Sequence, residues 1–508
     1  MPLRVAAVDV GTNAIRFLAV ELDGEVPART LSDKRFPVRI GHGVYSTGHI
    51  SPDAASAAVE SLTTVAASLK ELGVEKYRAV ATSAVRESSD RRRFLRSVRE
   101  RTGLVVEVIS GAEEMRLVHK AVRRRLLLGP DRWILVELGG GSLEVALVDA
   151  DKVHWCETRA MGAVRLRELF APGGTEPRGF SRIVAEYVGS LRLPPHAREA
   201  KTRGFIATGG NIEALARLAA PAHDAGAPAR IPLPALRKIT EELAKLPVAE
   251  RTRFYDLKPD RADVIVPAAL MYVYLAELLH AEELIVPGGG IREGIIEDLG
   301  EKLTARREPG VDDVIEDAAA LGRKFSFEEG HSVHVARLAV QLFDQLSSLH
   351  GLGRRERRIL AAAAVLHDIG DFVSLKSHHK HSAYLIARSE LPGFTSTEMF
   401  LVANVARYHR KGGPSLAHPQ FVLLSPADRD RVRRLAALIR IADALDREHR
   451  GRIRRISLLL RDSGFVITTG EKDDLLLERW ALEKKSDVFR KVFGVDMTLA
   501  ASSEAADG

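Results

Sequence analysis

Two glutamates frame a glycine turn in residues 133–149, WILVELGGGSLEVALVD. An apolar run ends on Glu137, the turn holds Gly139, Gly140, Gly141 and Ser142, and Glu144 opens a second apolar run. Glycines permit positive φ and close backbone approach, so several N–H groups of such a turn can converge on phosphate oxygens. Two carboxylates beside them suit a divalent cation held against the same phosphate. Alone, the turn also reads as a plain hairpin. Repetition favours the chemical reading. VDVGTNAIR near the N-terminus aligns on it without a gap, with Asp9 on Glu137, Gly11 on Gly139 and Ile15 on Leu143. GFIATGGNIEAL at 204–215 sets Gly209, Gly210 and Asn211 before a helix whose N-terminal N–H groups form an anion site. LIVPGGGIREGIIEDL at 284–299 repeats the pattern. In SGAEEMR, Ser110 caps a helix beginning near Ala112, and Glu113 and Glu114 suit its dipole. Capping and dipole account for one of these acids and leave its neighbour as a general base. Arg86, just past a strand end, either grips phosphate bidentately or lies on the surface.

These residues need a scaffold of strands ending in turns. Asp9 and Glu137 are equivalent at an offset of about 128 residues, which indicates a duplicated lobe rather than a solenoid. Two such lobes would present their acid-and-glycine turns across a cleft, with a phosphate chain and a metal between them. In the first lobe, Ala58, Leu62, Val65, Leu69 and Leu72 predict a helix over 54–72, and strands are expected at 77–81 and 104–109. Ligands of α/β proteins sit at such strand ends.

A chain of 508 residues should form about two to four domains. The ILAAAAVL run at 359–366 falls far short of the ~20 apolar residues of a membrane span. Asp9 inside the first apolar stretch speaks against a cleaved signal. Cys156 is the single cysteine, which excludes an intrachain disulfide and fits a reducing cytoplasm. The net charge of +7 includes clusters at Arg91-Arg92-Arg93, Arg123-Arg124-Arg125 and Arg354-Arg355 with Arg357-Arg358. Each reads as a solvated helix face; together they suit a polyanionic partner. With 6% aromatics and no zinc-finger spacing or stacking motif, nucleic acid is not the expected polyanion.

VDVGTNAIR, ATSAVRE, ISGAEEMR, ELGGGSLE, ATGGN and PGGGIREG occur in this order over residues 1–300. In these pieces the chain resembles the exopolyphosphatase/guanosine pentaphosphate phosphatase family of the actin-like ATPase superfamily. The resemblance implies an α/β enzyme with duplicated ribonuclease-H-like lobes at 1–130 and 131–300. It implies a hydrolase dependent on Mg²⁺ (or Mn²⁺) that removes terminal phosphate from inorganic polyphosphate or from the 5′ end of pppGpp. Position by position, Glu114 matches the catalytic base and Arg86 a phosphate-gripping arginine. Gly139 to Ser142 match a phosphate loop faced by Asn13 and Arg16, with Gly209, Gly210 and Asn211 as a further phosphate turn. Glu144 matches an acid of the metal site, shared with Asp9 and Glu137. Glu137 departs from the aspartate usual in the family, and its extra methylene moves the carboxylate by about 1.3–1.5 Å. Inorganic polyphosphate is the expected substrate, pppGpp the alternative, and a cytoplasmic homodimer the expected assembly.

Residues 301–313 read as a charged linker punctuated by Pro309 and Gly310. Beyond it, 314–455 is helical, with Val335, Leu338, Leu342 and Leu346 on one stripe. His331 stands at the head of that stripe, His367-Asp368 ends ILAAAAVLHDIGD, and Asp443 lies in LAALIRIADALDREH. This order resembles an HD-type metal phosphohydrolase domain, which implies a second divalent metal on His331, His367, Asp368 and Asp443. His378, His379, His381 and His409 lie nearby in sequence. Residues 456–508 read as a small α+β segment, with a strand pair, a helix near 473–489 and a disordered tail. Two rival readings are an ATP-binding regulatory module of the actin kind and chemistry confined to the HD-like site.

Overall fold

The structure is a computed structural model describing residues 3–23, 26–170, 179–191, 202–220, 227–304, 310–461, 464–470 and 475–501. It divides into two compact units, Met1–Arg306 and Arg307–Gly508.

The first unit contains two sheets. β1 (Leu3–Val10), β2 (Ile15–Asp23), β3 (Val26–Phe36), β4 (Lys76–Ala81) and β5 (Val106–Val108) lie in the order β3-β2-β1-β4-β5. The central strand, LRVAAVDV, is apolar along most of its length because helices cover both of its faces. The second sheet contains β6 (Arg132–Leu138), β7 (Leu143–Val148), β8 (Val153–Arg159), β9 (Thr202–Thr208), β10 (Ala229–Pro232) and β11 (Glu283–Val286), in the order β10-β11-β9-β6-β7-β8. Without its edge strand β10, this order repeats the first sheet. The repeat also holds in register, since Asp9 faces Arg16 across β1 and β2 where Glu137 faces Glu144 across β6 and β7. Asp9 and Glu137 thus each occupy the last turn-facing end of a central strand.

Helix Pro52–Glu71 is capped by Ser51 and buries Ala58, Leu62, Val65 and Leu69. Helix Gly111–Arg125 starts on Ser110, whose hydroxyl accepts from Glu113 N at 3.1 Å. Helix Ile291–Thr304 follows the last strand of the second sheet but packs on the first. Its Ile295 and Ile296 are buried with Val5, Ala7, Leu18 and Val80. Residues 291–300 therefore pack with the first lobe, and 301–304 of the expected linker complete this helix.

In the second unit one core runs from Val314 to Leu499. Its central helix, Arg354–Leu366, is buried from Ile359 through Leu366. Helix Glu329–Gln345 carries His331, and helix Pro426–Ala444 carries Asp443. The C-terminal segment shares this core through Ile456, Ile467, Leu482 and Phe489. β12 (Ile456–Arg461) and β13 (Gly464–Thr469) form the expected antiparallel pair, and β14 (Asp496–Ala501) adds a parallel neighbour to β13. The single helix expected near 473–489 is instead two, Leu476–Lys485 and Asp487–Phe493, broken at Ser486. The expected disordered tail, 502–508, lies outside the described residues. No helix among the described residues is long and apolar enough to cross a membrane.

Candidate active site

The turns of the two lobes of the first unit enclose a cavity of about 710 Å³. Asp9, Glu114 and Glu137 line it, as do Asn13, Arg16, Gly139, Gly140, Ser142, Gly209, Gly210 and Asn211. Arg86, Gly141 and Glu144 are set behind this surface. All four carboxylates, Asp9, Glu114, Glu137 and Glu144, are buried. Burial raises Glu137 to about 7; the Thr208 hydroxyl and Arg16 oppose the rise, and Glu114 adds to it. Burial, then the neighbouring charge of Glu114, holds Glu144 well above the usual carboxylate range, with Arg86 offsetting part. No hydrogen bond reaches either oxygen of Glu144 or Oδ1 of Asp9. Burial likewise raises Asp9, although Arg16 lies 4.0 Å away. Acids that resist ionising for lack of compensating charge are what a divalent cation satisfies, so this donor set fits one. The all-oxygen ligands suit Mg²⁺ or Mn²⁺.

Arg86 donates to Ile109 O at 2.8 Å and to the Glu114 carboxylate, and its other nitrogen lies 4.0 Å from Glu144. Its guanidinium is therefore turned into the acid cluster. Glu113 is not merely a helix-dipole residue. Although burial opposes ionisation, Arg116 at 2.7 Å and Arg78 at 3.0 Å bring its carboxyl down to about 2. Arg116 also donates to Asp298 at 2.8 Å, which ties the helix carrying Glu114 to helix Ile291–Thr304.

The glycine turns work mainly by close approach. Among Gly139, Gly140 and Gly141 none has positive φ, in contrast to the freedom expected there. A Cβ on Gly140 would lie 2.8 Å from the Thr12 side chain, and one on Gly141 would lie 1.7 Å from the Tyr45 hydroxyl. Thr12, Tyr45 and Ser83 form a hydroxyl group of their own, with oxygens 3.0–3.3 Å apart. Gly209 does require its φ of +106°, and a Cβ there would meet Leu138 O at 2.8 Å. Gly210 lets Arg261 and Arg16 close on the N-terminus of helix Gly210–Ala219, where a Cβ would stand 2.6 and 3.0 Å from them.

Several cleft residues escaped the sequence reading. Arg261 donates to Asn211 Oδ1 at 2.7 Å; burial, with Arg16 and Arg35 nearby, lowers it to about 10. Arg35 pairs with Asp260, which also accepts from Asn13 at 3.2 Å. Arg165 lies 4.0 Å over the Tyr45 ring, donates to Gly141 O at 2.8 Å and holds both Glu87 oxygens at 2.6 Å. The alternation of acids and bases around Pro259, in DLKPDRAD, was the available signal for Asp260 and Arg261.

In the second unit, His331, His367, Asp368 and Asp443 come together. His367 Nε2 lies 3.3 Å from Asp368 Oδ2 and 4.0 Å from Asp443, and His331 Nε2 lies 3.8 Å from Asp443. Burial would lower His367, but Asp368 and Asp443 raise it to about 9. Burial carries His409 down to about 3 despite the same acids. Two groups able to hold a metal occur among the described residues, His331 with His367 and Asp368, and Asp368 with His378 and His409. Neither contains His379 or His381. The Lys485 ammonium contacts Asp443.

Residues 20–303 match the Ppx/GppA phosphatase family, and residues 316–486 match domain III of Ppx/GppA phosphatases. The chain belongs to the Ppx/GppA phosphatase family. Members of this family are phosphoanhydride hydrolases, and so is this enzyme. It is 26% identical to a guanosine-5′-triphosphate,3′-diphosphate pyrophosphatase of Vibrio vulnificus over 440 residues, 85% of each chain. An exopolyphosphatase structure from Cytophaga hutchinsonii matches with a TM-score of 0.55 at 22% identity, covering 59% of this chain and 98% of that one. The Aquifex aeolicus family member gives a TM-score of 0.51 at 25% identity, covering 61% of this chain and all of that one (100%). The first unit thus has the actin-like α/β fold of Ppx/GppA phosphatases.

Proposed function

We propose that this enzyme removes the terminal 5′-phosphate of guanosine pentaphosphate, with inorganic polyphosphate as the second reading. The order is the reverse of the one expected from sequence alone. The Vibrio vulnificus pyrophosphatase resembles this chain across both units, whereas the exopolyphosphatase likeness, at 22% identity, speaks only to fold. The observation carrying the chemistry is the group of buried acids at strand and helix ends, with Asp9, Glu114 and Glu137 facing a cleft lined by Arg16, Arg35 and Arg261 and Glu144 set just behind them.

In this reading the phosphates lie against the N–H groups of Gly139–Ser142 and of the Gly209, Gly210 and Asn211 turn, with Arg16 beside them. Asp9, Glu137 and Glu144 would hold Mg²⁺ or Mn²⁺, which when bound neutralises charge on the transferring phosphoryl group. Glu114 orients a water and takes its proton as the water oxygen attacks the terminal phosphorus in line. The bridging P–O bond breaks, and its electron pair leaves with the shortened oligophosphate. Arg86 steadies the Glu114 carboxylate rather than gripping substrate, and Asn13 joins the lobes through Asp260. Parallel assays of phosphate release from pppGpp and from long polyphosphate test the order of substrates. A kcat/KM at least tenfold higher on polyphosphate reverses it.

The second unit reads as an HD-like domain in which His331, His367, Asp368 and Asp443 hold a divalent cation. His331 Nδ1 lies 2.8 Å from Asp446 and His367 Nδ1 lies 2.7 Å from Ala364 O, so each ring carries its proton there. Both Nε2 atoms are then buried and turned toward Asp368 and Asp443, where a bound cation would take the place of the proton that these acids hold on His367 in its absence.

A further inference from the structure

We infer that Arg165 is a positioning residue for the hydrolysis, fixing the last N–H group of the phosphate loop and tying that loop to the helix that carries Arg86. The inference rests on the reading just given, in which the loop of Gly139–Ser142 holds phosphate and Glu114 primes the water. Helix Ala163–Phe170 begins against the back of the loop. A Cβ on Gly162 would stand 2.2 Å from the Gly140 carbonyl and from Gly141 N, so the chain enters the helix in contact with the loop's backbone. The first N–H groups of a helix have no partner within it. Here Ala163 N donates to Gly139 O at 3.1 Å, and Val164 N and Arg165 N donate to Gly140 O at 2.8 and 3.0 Å. For Gly141 O the donor is a side chain, Arg165 Nε at 2.8 Å.

Three successive carbonyls are therefore held toward the helix. In a planar trans peptide the N–H points opposite to the C=O. The N–H groups of Gly140, Gly141 and Ser142 are thus turned away from the helix, and among the described residues none of the three donates a hydrogen bond. Gly140 and Ser142 line the cavity, whereas Arg165 stands behind them. Backbone bonds fix the first two of these N–H groups; only the Ser142 N–H depends on a side chain for its direction. A guanidinium on Gly141 O also polarises that peptide, which strengthens its N–H as a donor to phosphate.

The other end of the guanidinium reaches the opposite lobe. Arg165 NH2 holds both Glu87 oxygens at 2.6 Å, and the group lies 4.0 Å over the Tyr45 ring. Glu87 closes helix Ser83–Glu87, whose Ser83 lines the cavity and whose Arg86 donates to the Glu114 carboxylate. One side chain thus spans from the loop that receives the phosphoryl group to the residue beside the partner of the water-activating acid. It sets how far the phosphorus stands from the water on Glu114, and an error of about 1 Å in such a distance costs about 10²-fold in rate. Lysine is no substitute, because an ammonium lacks the planar fork that serves Gly141 O and Glu87 together.

Steady-state phosphate release by the full-length protein tests this, on pppGpp and on long polyphosphate, with the variants read on whichever substrate the wild type prefers. Arg165→Ala should lose about 10²-fold in kcat with KM within about threefold, because the N–H groups of Gly140 and Gly141 stay held by backbone bonds. Arg165→Lys should remain at least about tenfold below wild type. Glu87→Gln should lose about tenfold, and the double variant should lose no more than Arg165→Ala alone. Methylguanidinium, well below denaturing concentration, should restore about tenfold in kcat to Arg165→Ala, while methylammonium restores none. A role in stability alone gives no such selectivity. An Arg165→Ala kcat within about threefold of wild type, or equal rescue by both cations, overturns the positioning role. Should Arg165→Ala fail to fold, a Glu87→Gln kcat equal to wild type overturns it instead. A Glu114→Gln enzyme as active as wild type overturns the underlying reading of the site, which separates that failure from this one.

Discussion

Replacing Glu137 by glutamine should stabilise the cation-free protein at neutral and alkaline pH. Burial lifts this carboxyl from 4.5 to about 7, which corresponds to an upper bound of about 3 kcal/mol against the ionised form. Below pH 4.5 the side chain is protonated in folded and unfolded chains alike, and the two proteins should be equally stable. Between 4.5 and about 7 the unfolded chain loses the proton while the folded one keeps it, so wild-type stability falls as pH rises. Above about 7 the whole penalty is present. Glutamine has the same shape, never ionises, and its amide oxygen still accepts from Thr208. Guanidinium unfolding in EDTA should therefore show a variant advantage growing from near zero at about pH 4.5 to about 3 kcal/mol at about pH 8. In a melt this corresponds to about 5 °C for a unit of this size. Mg²⁺ should restore the wild type and leave the variant unmoved. A variant less stable than wild type at pH 8 in EDTA, or a difference flat with pH, refutes the reasoning.

Three further substitutions, with one control, probe how the site is held. Gly141→Ala drives a methyl group into the Tyr45 and Ser83 hydroxyls, 1.7 and 2.4 Å from the new Cβ. It should cost about 2–3 kcal/mol in urea unfolding, while Gly189→Ala, with open space around it, should stay within about 0.5 kcal/mol. Glu113→Gln leaves Arg78 and Arg116 short of charge, so a loss of about 3 kcal/mol is expected. Its kcat should also fall, because the turn carrying Glu114 loses its anchor; unchanged kcat and melting temperature contradict this. Arg165→Ala removes the tie between Glu87, Tyr45 and Gly141 and should cost about 1–3 kcal/mol by chemical unfolding.

The duplicated fold was legible because each hairpin keeps its acid, the glycine two residues on and the spacing, so Asp9 predicts where Glu137 must stand. The capped start of the Glu114 helix was legible for a similar reason, since Ser110 acts within four residues. What stayed hidden depends on partners distant in sequence. Helical periodicity in 291–304 shows an apolar face but not which sheet it covers, and the helix returns to the first lobe. Glu113 looked like a helix-dipole residue because Arg78 and Asp298 lie on other elements. The glycines at 139–141 marked a close approach without naming Thr12 and Tyr45 as the groups that come near. Arg35 and Arg261 meet in the cleft from segments more than 200 residues apart. The histidine cluster lay between these cases: motif order suggested His331, His367, Asp368 and Asp443, while the fold sets His378 and His409, of four neighbouring histidines, beside Asp368.

The central claim is that Glu114 primes the attacking water in a cation-assisted hydrolysis. The most direct measurement is phosphate release from pppGpp by wild type and Glu114→Gln, each with Mg²⁺ and with EDTA. The wild type should require Mg²⁺, and Glu114→Gln should lose about 10²–10⁴-fold in kcat with KM within about threefold. A Glu114→Gln enzyme that releases phosphate at the wild-type rate contradicts it.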